Sequence, residues 1–440
     1  MNKVGLVWVG HPDYVGENSS AIQRAIVGSL NGIENLKADL RPIATNEKEA
    51  VAQVREVLAD GCCGAVIILA TWVECNVVMS ALKELYGRPC MFWGFPVEEV
   101  ENRKESTGSY VSATMFAGVV KRIGLRSRVL YTSWKNDKTL KAIEAFAVAA
   151  VAKDALNYAK IGLVGYTSMS IYTGTFDHVM MRNCIGPEIE QMDSYTLINE
   201  AETSTVDEIR EAEKRLKRLS RCEAGIDQAV LDRTMGIYVA LKKLCEKKEW
   251  DAVNVKCQYE FSKEYMTVPC VALSLLAEDN ILTSCEGDIP VTVSMLMLKY
   301  LTDDIVWYGD SLTHWDNTLQ FSPCGFMPFS LAKGTADVIS FKDNEGFNGL
   351  QVKGVLRPEK VTWMRLVEDI GSYHIIYGTG QGIDTEPRGG NMPALNVVLD
   401  GDINQLIEEY SGQHFAVAYG DVSDKIEMLA YIMGIEARRI

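Results

Sequence analysis

The sequence predicts a mixed α/β protein with two α/β domains followed by a β-rich C-terminal domain. Three observations favour this organisation. Short, fully apolar segments alternate with amphipathic segments in the first third of the chain, a pattern typical of a parallel sheet covered on both faces. The alternation starts again at Lys160. After Asp310, short strand-like segments follow one another between turn residues, which is typical of an antiparallel sheet or barrel.

The first predicted domain comprises residues 1–159. Its helical segments carry apolar residues at helical spacing, as at Val51, Val54 and Leu58, whereas its strand segments are apolar throughout. The predicted strands are Lys3–Val9, Asp39–Ile43, Ala65–Ala70, Met91–Phe95 and Arg128–Tyr131, and the predicted helices are Ser20–Leu30, Glu47–Ala59 and Lys138–Tyr158.

The second predicted domain comprises residues 160–309 and repeats the alternation. Pro290 lies near the start of the last predicted helix, a favoured position because a helix needs no N–H donor there. The predicted strands are Ile161–Gly165, Ala252–Cys257, Ile281–Ser284 and Ile305–Tyr308, and the predicted helices are Phe176–Cys184, Val206–Arg218, Asp227–Trp250, Val268–Ala277 and Pro290–Tyr300.

The third predicted domain comprises residues 310–440 and is separated from the second by the change of pattern alone. The glycine-rich stretch 378–384 is interpreted as a hairpin turn. The predicted strands are Val338–Phe341, Leu350–Val355, Thr362–Leu366, Tyr373–Tyr377, Ala394–Leu399 and His414–Tyr419, and the predicted helices are Ile403–Tyr410 and Asp424–Met433.

The composition is that of a globular protein that does not bind polyanions. Of the 440 residues, 47% are hydrophobic and 23% are charged, and the net charge is −15. So acidic a chain repels phosphate backbones and anionic lipid surfaces, which argues against nucleic acid and membrane as partners. The longest apolar stretches, such as residues 64–72, have the length of a buried strand and not of a membrane span.

The cysteines predict a reducing, cytoplasmic environment. The eleven cysteines are scattered, no CxxC motif occurs, and an odd number cannot pair completely. The segment from Met1 to Tyr14 contains only a short apolar run and no small-residue cleavage site. We therefore interpret it as a first strand and not as a signal peptide.

Two acidic segments are the strongest candidates for chemistry. Glu286 follows a short apolar strand and precedes a helix, and Asp310 ends the next predicted strand. Because the carboxyl ends of consecutive parallel strands are commonly adjacent, we expect both carboxylates to face one pocket. The alternative for Glu286 is a cap on the following helix, and the residues alone leave the two interpretations even. For Asp288 the cap is the favoured interpretation.

A divalent cation would explain two carboxylates in one pocket. The two groups repel each other unless a cation or a proton lies between them. Oxygen ligands suit hard cations, and an added imidazole shifts the preference toward Mn²⁺ or its neighbours. His414 begins a late predicted strand and is the candidate for that nitrogen ligand. The residues alone suggest such a site and do not establish it.

The most distinctive motifs lie in the C-terminal part of the chain and read CEGDIPVTVSMLMLKYLTDDIVWYGD, FSPCGFMPFSLA and SGQHFAVAYGD. Together they resemble the L-fucose isomerase and L-arabinose isomerase family. The resemblance implies two Rossmann-like α/β domains followed by a β-rich, barrel-like C-terminal domain, in agreement with the pattern above. It also implies a metal-dependent aldose–ketose isomerase that acts on a hexose or pentose.

The resemblance assigns roles to three residues. Glu286, Asp310 and His414 would hold Mn²⁺ or another divalent cation, and the two carboxylates would also move protons through an enediol or enediolate intermediate. Which carboxylate is the base and which the acid is not indicated. The family further implies a homo-oligomer, a hexamer or trimer, in which the N-terminal domain serves oligomerisation and forms part of a neighbouring subunit's site.

The chain departs from the family in two respects. It is shorter than the classical L-fucose isomerases, and the stretch 316–320 lacks the additional metal-binding histidine of the arabinose branch. The ligand set therefore resembles the fucose branch, and the shorter length leaves the natural sugar open. A modified sugar, such as a deoxy or sulfonated hexose, fits as well as fucose.

Three further residues are candidates for substrate binding. Gln258 follows a predicted strand, and its amide would hold a sugar hydroxyl; a solvated loop amide is an equal alternative. Trp93 and His11 lie near strand ends in the first domain, and the family uses a tryptophan of a similar segment to bind sugar. Core packing is the favoured alternative for Trp93, and orientation of the turn at Pro12 is the alternative for His11.

Two other classes of function remain as alternatives. Two α/β domains in series also describe a non-catalytic sugar-binding protein, which would not need a metal ion. A nucleotide-dependent enzyme is disfavoured, because the sequence has no P-loop and no GxGxxG segment after a strand. Small-molecule sugar is thus the partner that the sequence favours.

Overall fold

The computed structural model describes residues 3–100, 103–341 and 347–440. The chain divides into two units: the first contains Met1–Ala155 and Asp424–Gly434, and the second contains Leu156–Ser423 and Ile435–Ile440. The prediction of a mixed α/β protein with parallel sheets and a β-rich C-terminal sheet is confirmed. The division into domains 1–159, 160–309 and 310–440 stays a prediction.

The first unit is built on a parallel sheet of five strands. Its central strand, Cys62–Leu69, is buried over its whole length, as expected for a strand covered by helices on both faces. In sheet order the strands are Leu36–Lys37, Lys3–Val9, Cys62–Leu69, Cys90–Trp93 and Val129–Leu130. The helices are Glu17–Leu30, Glu47–Ala59, Cys75–Glu84, Ser109–Arg122 and Asp137–Tyr158, and Glu98–Val100 forms a small hairpin with Arg103–Glu105.

One predicted strand of this unit is wrong. Asp39–Ile43 forms no strand; the chain pairs instead at Leu36–Lys37 and again at an isolated bridge between Val9 and Ala44. Pro42 lies within the predicted strand and has no N–H to donate to a neighbour, which accounts for the interruption.

The second unit contains a parallel sheet of four strands, in the order Leu282–Cys285, Ala252–Val255, Lys160–Val164 and Glu188–Met192. Buried helices cover it, among them Ile289–Thr302, whose side chains are almost all enclosed. The helices of this part are His178–Met180 with a π-helical continuation Met181–Ile185, Ser194–Glu202, Val206–Leu219, Gln228–Lys248, a π-helical turn Glu260–Glu264, Cys270–Ala277 and Ile289–Thr302. Single 3₁₀ turns occur at Ser168–Ser170 and Tyr172–Gly174.

The C-terminal strands of the second unit close into a ring. Six antiparallel strands pair in the order Lys360–Asp369, His414–Tyr419, Trp307–Trp315, Thr318–Ser322, Leu395–Leu399 and Ser372–Ile383, and the last pairs again with the first. Glu436–Arg439 adds in parallel to Ser372–Ile383. A separate small sheet contains Arg221–Cys222, Asp337–Ser340 and Leu350–Lys353, and the remaining helical segments are Phe329–Leu331, Gly389–Asn391, Ile403–Glu409 and Ser423–Met433.

Two predictions about this region are wrong in instructive ways. Ile305–Tyr308 was expected to end the parallel sheet, but the strand Trp307–Trp315 belongs to the barrel, and Leu282–Cys285 is the edge of the parallel sheet. A short apolar run fits either kind of strand. The glycine-rich stretch 378–384 is not a turn: residues 378–383 lie within the strand Ser372–Ile383.

These strand glycines are required by close packing. A Cβ atom on Gly378 would overlap the indole ring of Trp363, and one on Gly382 would lie 2.7 Å from the carbonyl oxygen of Glu359. The missing side chains at these two positions therefore leave room for the indole ring of Trp363 and for the backbone at Glu359.

Among the described residues, no helix combines the length and the apolar character needed to cross a membrane.

We expect Gly378→Ala to destabilise the protein by about 1–3 kcal/mol, because the added methyl group overpacks the barrel against Trp363. Urea unfolding followed by tryptophan fluorescence measures this change. Gly389→Ala is the matched control, since a Cβ there meets nothing within 4 Å. Equal midpoints for the two variants would contradict the packing role of Gly378.

Candidate functional site

Glu286 is held in a conformation that few residues other than glycine adopt. It follows the strand Leu282–Cys285, and its φ of 67° lies in the left-handed region. Its N–H donates to the carbonyl oxygen of Val255 at 3.1 Å, and its own carbonyl oxygen accepts from the N–H of Ser168 at 2.8 Å. Such strained backbone persists where the surroundings hold it on both sides, and it is concentrated at functional sites.

Asn254 anchors the loop that carries Glu286. The side chain is fully buried, and its amide nitrogen donates to the hydroxyls of Ser284 and Thr292, both at 3.0 Å, and to the carbonyl oxygens of Cys285 and Asp288. Its oxygen accepts from the N–H of Gly287 at 2.8 Å. One side chain on the neighbouring strand thus fixes both ends of the acidic loop.

Gly287 is required because the loop after the strand Lys160–Val164 packs against it. Its φ is +70°, and a Cβ atom would lie 2.6 Å from the Cα atom of Thr167. Only glycine lets the loop that carries Glu286 approach the backbone of the segment after Lys160–Val164 so closely.

Asp310 and His414 are brought together by strand pairing. Trp307–Trp315 and His414–Tyr419 are antiparallel, and Asp310 lies directly opposite His414 in the register. Side chains at such positions point to the same face of the sheet and lie within contact distance. The expected meeting of parallel strand ends is therefore wrong for Asp310, which is placed by cross-strand pairing in the antiparallel ring.

The three residues predicted to bind a metal ion meet at one nitrogen atom. Nε2 of His414 lies 3.5 Å from a carboxylate oxygen of Glu286 and 3.4 Å from one of Asp310. The side chain of His414 is 1% exposed and that of Glu286 8%, whereas that of Asp310 is 26% exposed. Asp310 is therefore the member of the group that solvent or a ligand reaches most easily.

Asp288 orients the imidazole ring from the other side. Its carboxylate lies 2.8 Å from Nδ1 of His414, accepts from the N–H of Val291 at 3.0 Å and pairs with the guanidinium of Arg365 at 3.0 Å. Burial alone would raise the pKa of this carboxyl, but the charge of Arg365 and the contact with His414 outweigh it and lower the pKa of Asp288 to about 2. Asp288 is therefore the anion that fixes Nδ1 as the protonated nitrogen.

Arg365 balances that buried charge. Its side chain is 1% exposed, and besides Asp288 its nitrogens donate to the carbonyl oxygens of His414, at 2.9 Å, and Thr173, at 2.6 Å. The pair of Asp288 and Arg365 is neutral as a whole, and among the described residues neither Glu286 nor Asp310 forms an ion pair with a lysine or an arginine.

The chemistry of the donor set fits a divalent cation. Within the part of the chain that the structure describes, Nε2 of His414 is buried without a hydrogen-bond partner. Burial disfavours a charged ring, but the carboxylates of Asp288, Asp310 and Glu286 together raise the pKa of His414 well above its ordinary value. The arrangement therefore attracts positive charge to the space beside Nε2, and a carboxylate on the opposite ring nitrogen is typical of metal-binding histidines.

Gln258 and Trp93, two of the residues predicted to bind substrate, are both buried but lie in different units of the structure. Gln258 is 7% exposed and follows the strand Ala252–Val255 on the same edge as Glu286, so it is not a solvated loop amide. Trp93 is fully buried, and its indole N–H donates to the carbonyl oxygen of Thr132. That burial leaves no indole face for a sugar, which favours the core-packing interpretation.

His11 lies in a cluster of rings at the edge of the first sheet. Its ring centre is 5.3 Å from that of Tyr14 and 5.2 Å from that of Trp72, and its Nδ1 accepts from the N–H of Asp13 at 3.2 Å. Tyr14 is 57% exposed. The contact with Asp13 fits a role in the turn at Pro12, and of the three rings only that of Tyr14 is exposed.

Sequence reasoning missed Asn254, Arg365 and the second role of Asp288. Asp288 does cap the helix Ile289–Thr302, as favoured from the sequence, but it also binds His414. The only available signals were a polar residue inside an apolar strand, Asn254, and a charge inside an apolar run, Arg365. Both break the local pattern, and such breaks mark buried polar networks.

No protein-family model matches the chain. Individual proteins of similar sequence do. Sulfoquinovose isomerases of Priestia aryabhattai and Priestia megaterium are each 26% identical over 294 residues, which is 64% of this chain and 65% of theirs. The chain thus matches slightly less than two thirds of the length of these relatives. A sulfoquinovose isomerase of a Clostridium species is 22% identical over 388 residues, covering 86% of this chain and 87% of that protein.

We expect Arg365→Met to lower the free energy of unfolding by about 3–5 kcal/mol, because the carboxylate of Asp288 is then buried without its partner. Chemical denaturation measures the change. Arg221→Met is the control: its pair with Asp337 is largely exposed and should contribute no more than about 1 kcal/mol. Similar losses for both variants would show that Asp288 does not depend on Arg365.

Proposed function

We propose that the chain is a metal-dependent aldose–ketose isomerase whose substrate is a sulfonated aldose. The observation that carries the proposal is the buried Nε2 of His414, which lies between two carboxylates while a third fixes Nδ1. The names of the relatives, sulfoquinovose isomerase, support the reaction class and the sulfonated substrate.

The cation would be Mn²⁺ or another divalent ion, held by Glu286, Asp310 and His414. Two carboxylates and one imidazole suit an ion of intermediate hardness. The chemistry that such an ion supplies is stabilisation of the negative charge that develops on two neighbouring sugar oxygens. Asp288 and Arg365 would take no part in the reaction; they would hold the ring of His414 in the orientation that presents Nε2.

Glu286 and Asp310 would move the protons. In the open-chain aldose, one carboxylate removes the proton on C2, and the electron pair forms the C1–C2 double bond of an enediol. The second carboxylic acid donates a proton to O1 as the C1=O double bond opens. The first then returns its proton to C1, while the second carboxylate takes the hydroxyl proton from O2 and the C2=O double bond of the ketone forms. Glu286 is enclosed and Asp310 is partly exposed, so the two acids differ in their access to solvent protons.

The proposal includes a homo-oligomer, a hexamer or trimer, in which a neighbouring subunit completes the site. The exposed ring of Tyr14, packed with the partly buried rings of His11 and Trp72, supports this part, because it offers a CH-binding face at the carboxyl edge of a parallel sheet. A cytoplasmic location belongs to the proposal as well, and the eleven unpaired cysteines support it.

We expect the purified protein to convert sulfoquinovose to its ketose in the presence of Mn²⁺ and to stop when EDTA is added. Glucose, L-fucose and L-arabinose serve as competing substrates, and product formation is followed by NMR. Glu286→Gln should lower kcat by at least about a hundredfold, because a proton-transfer group and a metal ligand are lost together.

His314→Gln is the control for this assay, since His314 is an exposed histidine of the strand Trp307–Trp315 and has no contact with the three ligands in the structure. No turnover of any sugar, together with purified protein that retains no metal, would refute the isomerase and favour the non-catalytic sugar-binding protein instead. Turnover of L-fucose in preference to sulfoquinovose would keep the reaction and overturn the substrate.

We expect Asp288→Asn to weaken Mn²⁺ binding by about 10–100-fold, because the amide no longer fixes Nδ1 as the protonated nitrogen of His414. Isothermal titration calorimetry measures the affinity without reference to turnover. Asp369→Asn is a matched control, since Asp369 contacts Nδ1 of another histidine, His374, at 2.6 Å. Unchanged affinity in Asp288→Asn would separate this carboxylate from the metal site.

A further inference from the structure

Two buried thiols lie on the other side of Glu286. Cys257 and Cys285 stand at the carboxyl ends of neighbouring strands, Ala252–Val255 and Leu282–Cys285. The two sulfur atoms and a carboxylate oxygen of Glu286 all lie within 4.8 Å of one another, and all three residues are buried. The proposed reaction uses neither thiol.

The carboxylate of Glu286 thus faces two different sets of groups. Its Oε2 is the oxygen that lies 3.5 Å from Nε2 of His414. Its Oε1 lies 3.7 Å from the sulfur of a third thiol, Cys324. Oε2 therefore faces a nitrogen, which suits Mn²⁺, and Oε1 faces sulfur, which suits softer ions.

Packing alone does not explain this grouping. A buried cysteine ordinarily acts as a small apolar side chain, as Cys90 does in the first sheet. Thiols that surround a buried carboxylate are different, because an apolar environment raises the free energy of the charged group. The sulfur of Cys285 also lies 2.7 Å from the hydroxyl of Tyr308, so the thiols belong to a polar cluster.

We propose that Cys257, Cys285 and Glu286 form a second metal site, which takes a soft divalent cation such as Zn²⁺ or Cd²⁺ and thereby inhibits the enzyme. Tetrahedral zinc with Zn–S bonds of about 2.3 Å holds its ligand atoms roughly 3.5–3.8 Å apart, so atoms that now lie within 4.8 Å of one another need to approach by no more than about 1.3 Å. Cys324, whose sulfur lies 3.7 Å from Oε1 of Glu286, is not one of the three residues whose ligand atoms all lie within 4.8 Å of one another.

Binding of the cation at this site releases protons and involves no oxidation or reduction. Each thiol gives up its proton to solvent, the two thiolates and the carboxylate bond to the cation, and no electron is transferred. Glu286 is then no longer available as a ligand for the divalent ion of the proposed isomerase site beside His414. The predicted inhibition depends on the proposed isomerase activity. Binding of a soft cation to Cys257, Cys285 and Glu286, the thiol site, does not depend on that activity.

The experiment titrates the full-length, Mn²⁺-loaded protein with Cd²⁺ and records the ultraviolet charge-transfer absorption that thiolate–cadmium bonds produce. We expect this absorption in the wild type and a loss of affinity of more than about tenfold in Cys257→Ser, because a thiolate ligand is removed. Cys90→Ser is the control for removing a buried thiol elsewhere. Circular dichroism verifies folding, and Cys285→Ser replaces Cys257→Ser if the latter does not fold.

A second arm measures Mn²⁺-supported isomerisation with added Zn²⁺. We expect inhibition of the wild type and of Cys90→Ser, and at least about tenfold weaker inhibition of Cys257→Ser. Cadmium absorption that is the same in Cys257→Ser, Cys285→Ser and the wild type would overturn the site. Equal inhibition of all variants would place the inhibitory ion beside His414 instead. If no sugar is isomerised, the absorption arm still decides the thiol site, and only the proposed function fails.

Discussion

The carboxylate of Asp288 is the contact on which the rest of the site depends. It caps the helix Ile289–Thr302, fixes the imidazole of His414 and neutralises Arg365, and so joins the acidic loop of the parallel sheet to two strands of the barrel. All of these groups are buried, where a hydrogen bond is strong and an unpaired charge is costly. The position of Nε2 is therefore determined by a network and not by one residue.

The site combines parts that differ in how they are positioned. Glu286 is placed by a strained loop that Asn254 and Gly287 hold against neighbouring strands, whereas Asp310 and His414 are placed by main-chain pairing. The first arrangement depends on particular side chains, and the second on strand register. This difference explains why a polar side chain inside the apolar strand Ala252–Val255 is as important to the geometry as the ligands themselves.

Much of this was accessible from the sequence. Apolar periodicity predicted both parallel sheets and most helices, and motif resemblance singled out Glu286, Asp310 and His414, which the structure brings together. The expected reason for the proximity of Glu286 and Asp310 was wrong, because a four-residue apolar run does not reveal which sheet it joins. Arg365 lies far from Asp288 along the chain, so only tertiary structure reveals their contact.

The closed ring of strands has a consequence for how the protein tolerates change. Asp310 and His414 are opposite each other only in the present register, and successive residues of a strand point to opposite faces. A single inserted or deleted residue in either strand would turn one of the two side chains away from the other. Because a closed ring has no free edge at which a slip is absorbed, length changes in these strands are more damaging than most substitutions.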